Sequence, residues 1–102
     1  HILVDMSSYT FKAKLWVWPG ESAQWRFINV PKAMSEKIKK TVKTKRGFGS
    51  IRVRVKAGKT VWDTSIFPDS KSGTYLLPVK ASVRRAEGIE DGDTVLVTVR
   101  TQ

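Results

Sequence analysis

Between Ile51 and Lys56 apolar and cationic residues alternate without a break. Ile51, Val53 and Val55 fall on one side; Arg52, Arg54 and Lys56 fall on the other. A period of two is that of a strand with one buried face. Residues 9–17 repeat the pattern, with Phe11, Ala13, Leu15 and Val17 sharing one face and Lys12, Lys14 and Trp16 the other. A Pro19-Gly20 turn leads to residues 23–30, which carry Trp25, Phe27, Ile28 and Val30; two strands about such a turn predict an antiparallel hairpin. From Pro31 the period lengthens. Met34, Ile38 and Val42 recur every fourth residue, which predicts a helix ending near Thr41. After the 51–56 strand, Ala57-Gly58-Lys59 reads as a hairpin connection to a strand over residues 60–67, with Trp62, Thr64 and Ile66 on one face. Leu76 and Leu77 end a further apolar run. Pro78 opens a short helix with Val79, Val83 and Ala86 on its apolar side, and Gly88 stops it. Glu90-Asp91-Gly92-Asp93 is a turn, and Val95, Val97 and Val99 alternate along the last strand.

These elements number six strands and two helices in the order ββαβ-ββαβ, an internal repeat. In each half a proline follows an apolar strand and opens a helix, at Pro31 and again 47 residues later at Pro78. Neither half is large enough for a core of its own. The expected fold is mainly β: a closed six-stranded barrel with two short helices and a pseudo-twofold ββαβ repeat. Closure removes exposed sheet edges.

Charge adds an asymmetry to this picture. The net charge is +10, and all of it lies in the first half: residues 1–60 sum to +11 and residues 61–102 to −1. A cationic half favours an anionic partner, nucleic acid among the candidates. At 102 residues the chain forms one domain. Residues 1–5, HILVD, precede Met6 and read as a cloning remnant, leaving 6–102 as a single β-barrel domain. The chain has no Cys and its one His is His1, so disulfides, thiolate ligands and the usual nucleophile–base pairs are excluded. The expectation is a monomeric, cytoplasmic, non-enzymatic protein with neither cofactor nor metal, away from membranes. The acids Glu90, Asp91 and Asp93 are explained by their turn.

Several blocks, in order, resemble the DUF1905 family of small domains of unknown function. They are Phe11-Lys12-Ala13-Lys14-Leu15-Trp16, Phe27-Ile28-Asn29-Val30-Pro31, Gly47-Phe48-Gly49-Ser50, Thr64-Ser65-Ile66-Phe67, Tyr75-Leu76-Leu77-Pro78-Val79-Lys80 and Val83-Arg84-Arg85-Ala86. The resemblance spans Phe11 to Val99 and implies a six-stranded double-split barrel capped by helices, with no established activity. Leu77-Pro78 through Arg84, then Gly88-Ile89 and Gly92-Asp93, is also distantly similar to AbrB-type swapped-hairpin DNA-binding domains. That likeness implies DNA contacts at Lys80, Arg84 and Arg85, with Lys32 and Lys37 as counterparts in the first half.

Two candidate sites follow. The first is an anion or nucleic-acid face made by Lys37, Lys39, Lys40, Lys43, Lys45, Arg46, Arg52 and Arg54, where contacts to phosphate need no base recognition. It places the binding face in the first, more basic repeat. The second is a small-molecule or peptide cleft lined by Trp16, Phe48 and Trp62, with Arg26 or Arg84 as the orienting charge. The four tryptophans, Trp16, Trp18, Trp25 and Trp62, are expected mainly as core anchors. The outward face shared by Lys12, Lys14, Trp16 and Trp18 has a second reading, as a basic-aromatic platform. Arg46 to Val53 approaches the RNA-recognition octapeptide, but Ser50 and Val53 stand where that motif requires aromatics.

Overall fold

The computed structural model describes residues 8–20, 25–41 and 49–102. The 1–5 segment and the basic loop residues Lys43, Lys45 and Arg46, together with Phe48, lie outside them. The strands are β1 (Ser8–Lys14), β2 (Trp16–Val17), β3 (Arg26–Asn29), β4 (Ile51–Ala57), β5 (Thr60–Asp69), β6 (Thr74–Pro78) and β7 (Thr94–Thr101). The helices are α1 (Lys32–Thr41) and α2 (Ala81–Glu87). The sheet runs β1-β7-β4-β5-β6-β3-β2 with every pairing antiparallel.

The fold is mainly β, a seven-stranded curled half-barrel with two helices, where a closed six-stranded barrel was expected. The seventh strand arises at Leu15. The expected first strand is divided there: β1 pairs with β7 and β2 pairs with β3. Leu15 is fully buried, and its backbone turns aside to bond the 90–93 turn, donating to Asp93 O at 3.0 Å and accepting from Gly92 N at 2.9 Å. The strand cannot keep a single ladder while giving both groups to that turn.

Inward positions alternate as the sequence predicts. β4 reads buried–exposed throughout, and Val53, Val55, Val97, Val99, Ile66 and Leu77 meet in one core. Removing an aliphatic side chain of this kind from water stabilises by about 1.5–3 kcal/mol. Ile38 is the buried anchor of α1, with Met34 half-buried; Val42 lies outside the described residues. α1 packs against β6 and α2 against β5.

Pro78 does not open the second helix. It is the last residue of β6, opposite Phe27, and α2 begins only at Ala81 after an extended Lys80. A proline at a strand end costs no ladder bond when its position needs no N–H. Val79 is therefore buried ahead of α2, Val83 is its buried contact, and Ala86 is exposed. Gly88 at φ 63° caps the helix as expected.

The element order is βββαβ-ββαβ, which matches the expected ββαβ repeat only if β1 and β2 are counted as one strand, but the ladders correspond across the two halves. β1·β7 corresponds to β5·β4, and β2·β3 to β5·β6. The offset of the repeat around the helices is 49 residues, two more than the prolines suggest. Val30 N donates to Tyr75 O and Val79 N to Arg26 O, which relates Val30 to Val79 and Arg26 to Tyr75. The side chains obey the same relation: Ser35 Oγ donates to Val30 O at 3.0 Å and Arg84 Nε to Val79 O at 3.1 Å.

Candidate functional site

Beside α2 a cleft of about 520 Å³ opens between the start of β3, β5 and the β6–α2 connection. Its walls include Trp25, Arg26, Trp62, Asp63, Lys80 and Arg84. The local sequence explains how these side chains meet. Trp62 is an inward residue of β5, opposite Val55, so its indole lies at the edge of the core. Arg26 opens β3, Pro78 ends the neighbouring strand β6, and the extended Lys80 places Arg84 one helical turn into α2.

Three features of the residues around the cleft bear on what it can hold. Trp62 is 7% exposed, and its buried Nε1–H has no acceptor among the described residues. An unpaired buried donor of this kind costs about 1–3 kcal/mol. Arg84 is anchored by its Nε on Val79 O, while no hydrogen bond occupies its terminal nitrogens among the described residues. Trp25 is 57% exposed, with its ring stacked at 6.0 Å on Phe27. The first two features are donors only, so the group that completes them must be an acceptor.

The surrounding charges are arranged to the same end. Arg26 Nε donates to Asp91 Oδ1 at 3.0 Å and its terminal nitrogen to Oδ2 at 3.3 Å. That bond holds the Asp91 carboxyl below the usual carboxylate range. The Arg84 guanidinium is pushed below its ordinary value, first by burial and then by the like charge of Arg26. Asp63, the acid of the cleft wall, is bonded by Arg54 from β4 at 2.8 and 3.2 Å. Its carboxyl is lowered chiefly by that bond, so its charge is largely answered from outside the cleft.

The repeat supplies an internal comparison. A second groove, of about 550 Å³, runs along α1 past Lys32, Ser35, Thr74 and Tyr75. Under the 49-residue shift these positions correspond to Ala81, Arg84, Trp25 and Arg26 of the cleft. In this counterpart Ser35 Oγ donates to Val30 O and accepts from Tyr75 N at 3.0 Å, so its polar groups serve the fold. Arg84 keeps the bond to the carbonyl and lines the cleft, whereas Ser35 gives both of its polar functions to the backbone.

Of the residues expected to line a cleft, Arg26, Trp62 and Arg84 come together. Trp16 does not. Its indole donates to Asn29 Oδ1 at 2.6 Å on the outer sheet face, and Phe48 is outside the described residues. Trp25 and Lys80 belong to the cleft and were not assigned to it from sequence. The alternation that continues into β3 places Trp25 on the outer face, and only the fold shows that this residue, just ahead of the strand, reaches the cleft rim.

The expected basic set divides. Lys37, Lys39 and Lys40 are exposed on α1, Lys39 at the groove just described. Arg52 and Arg54 are exposed on β4, where Arg52 reaches Ser65 Oγ at 3.4 Å and Arg54 is paired with Asp63. Lys43, Lys45 and Arg46 fall outside the described residues. Lys56 on β4 and Arg100 on β7 share the outward face with Arg52 and Arg54, with Arg100 directly opposite Arg54. Among the described residues no cluster of His, Cys, Asp or Glu could hold a metal ion, and no helix is long and apolar enough to cross a membrane.

A search of curated proteins finds no match for the chain. The DUF1905 family, a domain of unknown function, matches over residues 11–99. That span runs from Phe11 in β1 to Val99 in β7 and takes in every wall of the cleft, and the chain belongs to the DUF1905 family.

Proposed function

We propose that this protein is a non-catalytic binding module whose cleft beside α2 takes a small anionic ligand. The observation that carries the reading is the anchored guanidinium of Arg84 in a cleft that is also lined by Trp62, whose indole Nε1–H is buried without a partner among the described residues. A ligand carboxylate or phosphate pairs with the Arg84 guanidinium, whose nitrogens form the fork that such groups match, and on this reading it also supplies the acceptor that the Trp62 donor lacks. Trp25 offers an apolar wall for the rest of the molecule. The volume falls in the range of small-molecule pockets. With no Cys and a single His at position 1, the sequence offers little for acid–base or nucleophilic chemistry.

A closed barrel is part of this reading. β1 and β2 stand at opposite ends of the strand order yet are separated only by Leu15. Counting them as one bent strand yields a ring of six, which supports a closed, rigid frame around the cleft.

The test is a titration followed by tryptophan fluorescence and thermal denaturation. The probes are inorganic phosphate, pyrophosphate, nucleoside monophosphates and benzoate, at constant ionic strength. At least one gives saturable quenching and a raised melting temperature, and Arg84→Ala abolishes both. Equal responses in wild type and Arg84→Ala, or no saturable response to any probe, refute the proposal.

A further inference from the structure

The outer face of β2 and β3 carries an aromatic shelf. Trp16 lies opposite Phe27 in the ladder, with ring centroids 5.4 Å apart. Trp18 meets Phe27 edge-on at 5.6 Å, and Trp25 stacks on Phe27 with their planes 8° apart. A shallow groove of about 430 Å³ continues from Trp18 and Trp25 across Phe27 to Phe67 and Leu76. Trp18 is 45% exposed and Phe67 42%. Exposed rings on this scale, contiguous on one sheet face, mark an interaction surface.

The charge beside the shelf selects the occupant. From β1 through β2 to the residue after it, the outward positions read Lys12, Lys14, Trp16, Trp18, so two exposed lysines precede the rings along the chain, with the buried Leu15 between Lys14 and Trp16. On the far side Trp25 also walls the cleft that holds Lys80 and Arg84. The acid at the groove, Asp69, accepts from Ser72 N at 3.3 Å and Ser72 Oγ at 2.8 Å. An apolar protein partner would satisfy the rings and leave the flanking cations unanswered. A chain that alternates planar rings with anions satisfies both.

We infer that the outer face of β1, β2 and β3 binds single-stranded nucleic acid, with bases stacked on Trp18 and Trp25 and phosphates on Lys12 and Lys14. Stacking platforms flanked by cations bind single strands with little sequence preference, because every base has a π-face. A duplex keeps its bases paired and stacked inside and offers no ring to the shelf. The observations are those of the outer face, and they stand whether or not the cleft holds a small anion.

The experiment is fluorescence anisotropy with a labelled twelve-nucleotide oligo(dT), its oligo(U) counterpart and a duplex of the same length, across a salt series. The single strands bind more tightly than the duplex. Trp18→Ala weakens single-strand binding by about tenfold or more, since each base–aromatic stack contributes substantially. Trp18→Phe, which keeps a ring, retains most of the affinity. Lys12→Gln with Lys14→Gln flattens the slope of log K against log salt by about 1.4, two phosphate contacts at about 0.7 each. Far-ultraviolet circular dichroism confirms that each variant is folded. Trp18→Ala leaves the small-anion titration of the cleft unchanged, and Arg84→Ala abolishes it, so the two readings fail separately. Equal affinity for duplex, no loss in Trp18→Ala, or a self-associating protein made monomeric by Trp18→Ala each overturns the inference.

Discussion

Replacing Trp62 by Phe separates a structural tryptophan from one kept for a ligand. The substitution shortens the side chain and removes one buried donor. Lost burial and a small residual cavity cost about 1–2 kcal/mol. In the ligand-free protein, however, the lost N–H has no acceptor among the described residues, so its removal returns about 1–3 kcal/mol of desolvation penalty. The two effects nearly cancel. Trp62→Phe is expected to unfold in urea within about 1 kcal/mol of wild type, whereas a tryptophan with a satisfied donor would lose both its packing and its bond. Binding changes in the opposite sense. A hydrogen bond to an anionic acceptor contributes about 1.5–3 kcal/mol, so affinity for the ligand falls roughly ten- to a hundredfold. Urea unfolding followed by circular dichroism gives the first quantity, and titration with the probe selected on wild type gives the second. A stability loss above about 3 kcal/mol, or unchanged affinity, refutes the reasoning.

Three further outcomes follow from the same geometry. Arg54→Ala leaves the carboxylate of Asp63 unanswered at the cleft wall, so anion affinity drops severalfold although Arg54 is not itself a wall residue; calorimetric titration checks this. Gly58→Ala places a Cβ at φ 59° against the Glu87 carboxylate that accepts from Thr60 Oγ1 at 2.6 Å, and it is expected to lower stability by about 1 kcal/mol or more in urea. Asp63 and Asp91 have carboxyls lowered in the folded state by Arg54 and Arg26. Their contribution is therefore present above the unfolded carboxylate value of about 3.9 and is lost as pH falls through the lower folded values. Urea midpoints should fall below about pH 4, and Asp91→Asn should flatten that fall.

Much of the architecture was legible because period-two patterning is a local signal. Ile51 to Ala57 alternates in sequence as it does in burial, and both helices appear after the strands that precede them. What sequence alone misplaced depends on long-range pairing. Nothing local marks Leu15 as the residue that breaks a strand, because its backbone partners, Gly92 and Asp93, are almost eighty positions away. Pro78 looked like a helix start because proline suits both a first helical turn and a strand end. Its ladder position opposite Phe27 decides between them.

The candidate cleft was legible in part. Trp62, Arg26 and Arg84 were chosen as residue types suited to a cleft, and the fold brings them together. The weight of positive charge pointed to the first repeat, yet the incomplete donors lie beside α2 in the second. Charge is additive along a sequence, but an unpaired donor is a property of its surroundings. Ser35 and Arg84 make the point: they occupy corresponding positions, and only Ser35 finds its acceptor and donor within the backbone. The tryptophans divide for a similar reason. Trp62 is buried on an inward register position, whereas Trp18 and Trp25, joined by a backbone hydrogen bond from Trp18 N to Trp25 O, remain exposed.

The most direct test is the indole ¹H–¹⁵N spectrum of the protein, with its four side-chain signals assigned by single Trp→Phe substitutions. Free protein and protein titrated with the anion selected by thermal denaturation are compared, and the titration is repeated in Arg84→Ala. The account predicts a saturable downfield shift of the Trp62 indole proton, as its donor gains an acceptor, and no such shift in Arg84→Ala. A Trp62 signal that is unmoved while the anion binds elsewhere contradicts it.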